Sequence, residues 1–334
     1  GRVTDPRTIL VCRLSALGDI VLTLPTLRAL RRRFPDVRLE FLARAPLGGI
    51  LRDVDAVDRV HSWDGGPAPL PDEVSGHRWD LVLDLSATGR SRRLLAGVMG
   101  RRRLRARKQT WRRVAFVRAR ALGADGRGIA PAVERALATL RPLGIRPEDQ
   151  DAVPRFDRVG DGGRDAILLA PGAGRATKRW PLARFVEVAE RLAAAGQRGL
   201  AVGAPDERAE LRQLAVALGD EGAVVAPDDP AELPRLLGGA RLAITNDSAI
   251  LHVAEACGVP VVAVFGPTHP RLGFAPRLAD SRVVRVAIEC SPCDLHGPAR
   301  CPRGHHGCME RLAVDAVWPH VALPLGLVGA GARS

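Results

Sequence analysis

Tyrosine is missing from all 334 residues, and phenylalanine and tryptophan together reach only 4%. Stacking platforms for bases are therefore scarce, which counts against a nucleic-acid-binding protein. Lysine is nearly missing too: of 50 basic residues, only Lys108 and Lys178 are lysine. A chain that writes arginine almost everywhere keeps lysine where a compact point charge is wanted, as at a phosphate. The longest weakly apolar stretch, Val317–Ala332, is broken by Pro319, His320 and Pro324 and is too short to span a bilayer. No charged n-region leads an apolar h-region, so secretion is not expected. The first strand-to-helix turn lacks G-x-G-x-x-G, which argues against a nicotinamide dehydrogenase. What is present is ordinary for a soluble globular protein: 46% hydrophobic and 26% charged residues. The length favours two domains over one.

Charge is unevenly spread. The net of +13 sits wholly in residues 1–150, while residues 151–334 balance to zero. Ser86–Ala124 carries 13 basic residues and no acidic one. Such a field attracts an anionic partner, although a merely solvated basic face is the bland alternative.

Along the chain, Thr8–Arg13, Val37–Arg44 and Trp79–Ser86 read as strands, and Arg101–Lys108 as a short basic one. Ile20–Phe34 reads as one helix ending in Arg31–Arg33, with further helices over Ser91–Met99 and Pro131–Leu143. Asp149–Gly163 is polar, rich in Asp and Gly, and reads as a linker. The alternation then restarts, with strands at Ala166–Ala170, Gly199–Gly203, Ala223–Ala226, Arg241–Thr245 and Val259–Phe265. Helices over Leu182–Ala195, Glu207–Leu218, Ala231–Leu237 and Ala249–Cys257 lie between them. Two such arrays imply an α/β protein of two Rossmann-like parallel-sheet domains with a cleft between them, the chemistry lying beyond the strands' carboxyl ends.

Three loops carry that chemistry. In Ser15–Asp19, Asp19 is either a helix cap or a general base. Pro171–Pro181 (PGAGRATKRWP) offers Gly172, Gly174, Thr177 and Lys178 as a phosphate cradle. Thr245–His252 (TNDSAILH) places Asn246, Asp247 and Ser248 at a helix start, where backbone N–H groups can bind a diphosphate, with His252 one turn on. His252 alone would ordinarily be structural.

The order and wording of three stretches resemble the ADP-heptose:lipopolysaccharide heptosyltransferases, glycosyltransferase family 9. These are ILVCRLSALGDIVLTLPTLRALRRRFPD, LLAPGAGRATKRWPLARF and TNDSAILHVAEACGVPVVAVFGPTHP. The resemblance runs from about residue 8 to about 310 and is weakest between Pro46 and Gln150. It implies a GT-B fold, an inverting and metal-independent transfer, and a catalytic base at Asp19. It implies donor contacts at Gly172, Thr177, Lys178, Glu207 (with Asp206 the other match after Gly203-Ala204), Asp247, Ser248 and His252. One departure is Ala249, where the family writes glycine. The expected partners are ADP-heptose and an anionic lipopolysaccharide precursor at the inner-membrane surface. Arg90, Arg101, Arg103 and Arg105 are the candidate acceptor contacts. The expected place is the cytoplasm, peripheral to the inner membrane, with no transmembrane segment and no nucleic acid.

Cys12 and Cys257 read as small core hydrophobes. Cys290, Cys293, Cys301 and Cys308 are spaced C-x2-C-x7-C-x6-C, with His296, His305 and His306 among them. A structural zinc site, free packed thiols, and a disulfide or iron–sulfur site all stay open. No cofactor is required otherwise. Similar cysteine-rich tails in the resembling family suggest the second-step type. The expected domains are 1–155 for acceptor and 162–320 for donor, with a tail at 321–334. A family member using another nucleotide sugar or acceptor is the alternative, and a zinc-knuckle nucleic-acid-binding protein is a further rival.

Overall fold

The structure is a computed structural model that describes residues 5–119, 123–220 and 223–327. Its described residues form two compact α/β units. The first takes in those of Gly1–Gln109, Ala130–Arg158 and Asp229–Leu233; the second takes in those of Thr110–Ile129, Val159–Asp228 and Pro234–Ser334.

The first unit is built on β1 (Thr8–Cys12), β2 (Arg38–Arg44), β3 (Arg59–Trp63), β4 (Arg78–Asp84) and β5 (Met99–Arg105). They form one parallel sheet in the order β3-β2-β1-β4-β5. β1 is central, with Val11 opposite both Phe41 and Leu83. Ile9, Leu10, Val11 and Cys12 are wholly buried, which is why this strand is a continuous apolar run rather than an alternating one.

The second unit holds β6 (Ile167–Ala170), β7 (Gly199–Val202), β8 (Val224–Val225), β9 (Leu242–Asn246), β10 (Val261–Val264) and β11 (Arg282–Val284). These are also all parallel, in the order β11-β10-β9-β6-β7-β8. Helices Leu182–Ala194, Arg208–Ala217 and Ala249–Ala256 connect them, close to the predicted bounds. Trp180, Phe185 and Phe265 are buried in this unit's core.

The predicted helix Ile20–Phe34 is two helices, Leu17–Val21 and Leu24–Arg33. Pro25 has no N–H to give to the preceding turn, so the helix restarts with proline at its first turn. The sequence between residues 44 and 79 hides β3, and the stretch after Lys108 hides the helix Thr110–Ala119. The broken apolar stretch overlaps a helix, Val314–Ala322, that carries Pro319 within it. Its Asp315 pairs with Arg191 at 2.7 Å, and Val317 and Val321 are buried.

The glycine-rich stretch expected to be a linker is pinned. Asp157 pairs with Arg28 at 2.9 Å and accepts the Asp55 N–H at 3.0 Å. Gly162 donates to the Arg235 carbonyl at 3.0 Å, and a Cβ there would stand 2.9 Å from that same oxygen. Glycine is needed because two backbones run side by side.

Candidate active site

Asp19 follows β1, as the third residue of helix Leu17–Val21. One carboxylate oxygen accepts the Ala16 N–H at 3.2 Å; the other pairs with Arg13 at 2.6 Å. Arg13 is itself held by the Leu85 carbonyl at 2.7 Å. Asp19 therefore caps its own helix, and its side chain remains 25% exposed. Arg13 fixes the carboxylate's orientation.

Lys178 follows β6, at the end of a short 3-10 turn, Ala176–Lys178. Its Nζ lies 2.8 Å from Asp247 Oδ2, with the side chains only 15% and 10% exposed. Thr268 donates to that same oxygen at 2.7 Å. The structure thus joins three sequence motifs at one carboxylate. Asn246 ties the floor together by accepting the Trp180 N–H at 3.0 Å and donating to the Pro171 carbonyl at 2.7 Å. Ser248 is the N-cap residue of helix Ala249–Ala256 without a side-chain capping bond, and its buried Oγ has no hydrogen-bond partner. Ala249 is simply the first helical residue. His252 is buried on this helix, its ring centroid 6.3 Å from that of Phe274.

Glu207 is the acid that the structure draws into this region, while Asp206 is exposed. Its carboxylate accepts the Ala204 N–H at 3.0 Å and pairs with Arg179 at 3.1 Å. A Cβ at Gly172 would lie 2.2 Å from it, so glycine is what lets the acid lie over this turn. A cavity of about 280 Å3 opens there, lined by Gly172, Arg179, Trp180 and Glu207 among others.

Thr177 is tied to the cysteine-rich segment. Its hydroxyl donates to the Pro298 carbonyl at 2.6 Å, and its own carbonyl meets His306 Nε2 at 2.7 Å. It thereby clamps the cysteine-rich segment onto the Lys178 turn. Cys290, Cys293, Cys301 and Cys308 all line a cavity of about 50 Å3, and none of them is in a disulfide. Among the described residues, no three His, Cys, Asp or Glu side chains are arranged to hold a metal ion. Burial works to raise Cys301, but the N–H groups of His306, Arg303, Gly304 and His305 turn toward its sulfur and hold the thiol below its ordinary value. Burial beside the other three cysteines pushes Cys308 up to about 11.

The four candidate arginines are not one patch. Arg105 pairs with Asp84 at 3.4 Å and donates to the Thr88 carbonyl at 2.8 Å, at the carboxyl end of the sheet. Arg90 is exposed in the helix that Thr88 caps, Gly89–Ala96. Arg103 donates to the Leu95 carbonyl at 2.9 Å and to the Val98 carbonyl, so it is engaged with that helix's far end. Arg101 pairs with Asp80 at 3.2 Å near the start of β5 and lines a cavity of about 530 Å3 with Arg7, Arg33 and Arg102. Four residues of strand, about 13 Å, separate Arg101 from Arg105.

The partners Arg13, Arg179 and Phe274 carry no local sequence signal; only tertiary placement reveals them.

A family model described as "Glycosyltransferase family 9 (heptosyltransferase)" matches residues 99–298. The chain is 30% identical over 320 residues to "Lipopolysaccharide heptosyltransferase 1" of Pseudomonas aeruginosa, covering 85% of each. It is 25% identical over 285 residues to "Lipopolysaccharide heptosyltransferase 3" of Escherichia coli, covering 75% of this chain and 81% of that one. A solved structure of E. coli ADP-heptose lipopolysaccharide heptosyltransferase II superposes with TM-score 0.72 at 20% identity, covering 95% of this chain and 98% of that one. An E. coli heptosyltransferase solved with ADP gives TM-score 0.69 at 20% identity, covering 95% and 99%.

Proposed function

Because the chain belongs to glycosyltransferase family 9, the heptosyltransferases, we propose that it transfers heptose from ADP-heptose to the inner core of lipopolysaccharide with inversion. The observation that carries this reading is the convergence of Lys178, Asp247 and Thr268 beside the free Ser248 hydroxyl and a helix start. Without donor, Asp247 neutralises Lys178. A bound diphosphate competes for the ammonium and takes N–H groups from the helix start, where anions are favoured. Glu207, beside Gly172, is placed to accept from a ribose hydroxyl. With charge on the leaving diphosphate stabilised by Lys178 and backbone donors, the reaction needs no metal. Asp19 removes the proton of the acceptor hydroxyl as the anomeric carbon becomes cation-like.

The acceptor is anionic and membrane-borne, so we place the enzyme at the cytoplasmic face of the inner membrane. No helix among the described residues is long and apolar enough to cross a membrane. Arg90 and Arg105 are the acceptor contacts we favour, being at the carboxyl end of their sheet. The cysteine segment favours the second heptosyl transfer.

The test has two stages. Thermal shift with ADP, UDP and GDP should single out ADP; a response to UDP or GDP alone overturns the donor and favours another nucleotide sugar. Mass-spectrometric detection of heptose on heptosyl-Kdo-lipid A, against Kdo-lipid A, then decides the step.

A further inference from the structure

Helix Thr110–Ala119 has one face packed and one face open. Arg113, Phe116 and Val117 are buried, the two apolar ones against Leu272 with Ile129 and Leu295 alongside. Trp111, Arg112, Ala115 and Arg118 are exposed. Positions 111, 115 and 118 follow the i, i+4, i+7 spacing of a single helical stripe. Trp111 is 87% exposed. Trp63, Trp79 and Trp180 are buried, and Trp318 lies under the Arg191 guanidinium, 5.5 Å from its ring. Tryptophan is on average a largely buried side chain, so its near-complete exposure here, on a stripe flanked by Arg112 and Arg118, singles this face out for comparison with a boundary between apolar and wet layers.

We propose that this open face docks on an anionic lipid surface, with Trp111 entering the interface and Arg112 and Arg118 meeting headgroup phosphates. The inference rests on the reading that the acceptor is membrane-borne. Three observations favour lipid. Tryptophan is the side chain suited to the boundary between apolar and wet layers. Within its own unit, the stretch Thr110–Ala124 that carries the helix holds no acidic residue, and the first acid beyond, Asp125, is paired with Arg127 at 2.7 Å. Trp111 keeps 87% of its surface in water, more than a ring enclosed by a sugar-shaped pocket would, so it stands on an open face. Reversible peripheral binding needs an apolar anchor and a basic patch together, and this helix presents both.

The experiment is sedimentation of the full chain with vesicles of phosphatidylglycerol and phosphatidylcholine, and with phosphatidylcholine alone, while following tryptophan emission. Binding to the anionic vesicles with a blue shift is expected, weakened by added salt. Trp111→Ala should lower partitioning about tenfold and abolish the shift. Trp111→Phe should recover most of the partitioning. Arg112→Glu and Arg118→Glu should each lower it about fivefold or more. All should keep ADP affinity and turnover on an acceptor stripped of its lipid chains. Equal vesicle binding by wild type and Trp111→Ala overturns the proposal. So does a raised KM for the delipidated acceptor in Trp111→Ala with vesicle binding unchanged, which would put Trp111 on the glycan. Binding to RNA in place of either vesicle overturns it as well. Trp111-dependent vesicle binding without any transfer from ADP-heptose would instead leave the docking face standing and remove the heptosyl reading.

Discussion

Each unit sets an ion pair at the carboxyl end of a central strand, yet the pairs are mirror images in chemistry. In the first, Asp19 stands 25% exposed and Arg13, anchored to a backbone carbonyl, orients it. In the second, Lys178 and Asp247 are both largely buried, and Asp247 is anchored by Thr268. The more exposed member of the first pair is the acid. In the second pair the cation is nearly as sheltered as its counter-ion, and on the proposed function a donor phosphate would take the counter-ion's place. The two units thus differ in which sign is braced from behind: the cation Arg13 in the first and the carboxylate of Asp247 in the second.

The largest effect is expected of Asp19→Asn. Asparagine keeps the capping acceptor, so the variant should fold and bind ADP normally. Loss of the base should lower kcat by a factor of about 10² to 10⁴. A kcat within about threefold of wild type would show that Asp19 is only a cap.

Next comes Lys178→Ala. Removal of a charge-assisted contact should weaken ADP by about 1.5–3 kcal/mol, measured by calorimetry. Asp247→Asn sharpens the point: it frees the ammonium, so ADP should bind no more weakly than about threefold below wild type if Asp247 is chiefly a counter-ion. A loss as large as that of Lys178→Ala would make the carboxylate itself part of the donor contact.

The smallest effect concerns pH. His269 Nδ1 accepts the Arg271 N–H at 3.0 Å, and burial with Arg285 and Arg271 nearby pushes the imidazole down to about 4. The unfolded chain takes up that proton at about 6.5, so stability falls as pH drops from 6.5 toward 4. About 1–2 kcal/mol should be lost between pH 7.5 and 5 on this account. In thermal melts His269→Asn, which keeps a capping acceptor, should flatten that slope. An unchanged slope would take His269 out of the account and leave the unit's acid sensitivity to other groups.

Legibility in the sequence followed burial. β1, β6 and β9 are covered on both faces, so their apolar runs announce them. β3 and β11 are edge strands with mixed residues, such as Arg59–Trp63, whose burial alternates only in part. Helix Thr110–Ala119 was hidden because its buried face includes Arg113. At the site, the residue types at positions 19, 178 and 247 were readable because motif spacing carries them. Their braces were not. Arg13 reaches the Leu85 carbonyl across 72 residues, and Thr177 reaches Pro298 across 121. Such contacts exist only once the sheets are assembled.

The chain also visits its units out of sequence order. Asp229–Leu233 belongs to the first unit, where Asp229 pairs with Arg52 at 2.9 Å, and Thr110–Ile129 belongs to the second, where Phe116 and Val117 need Leu272. A ribosome that has made only the first 158 residues has therefore released an unfinished first unit and a helix whose apolar face has no floor. Neither debt is settled until most of the polypeptide has emerged. Bisecting this gene at its glycine-rich stretch would yield two fragments that each lack a piece held by the other.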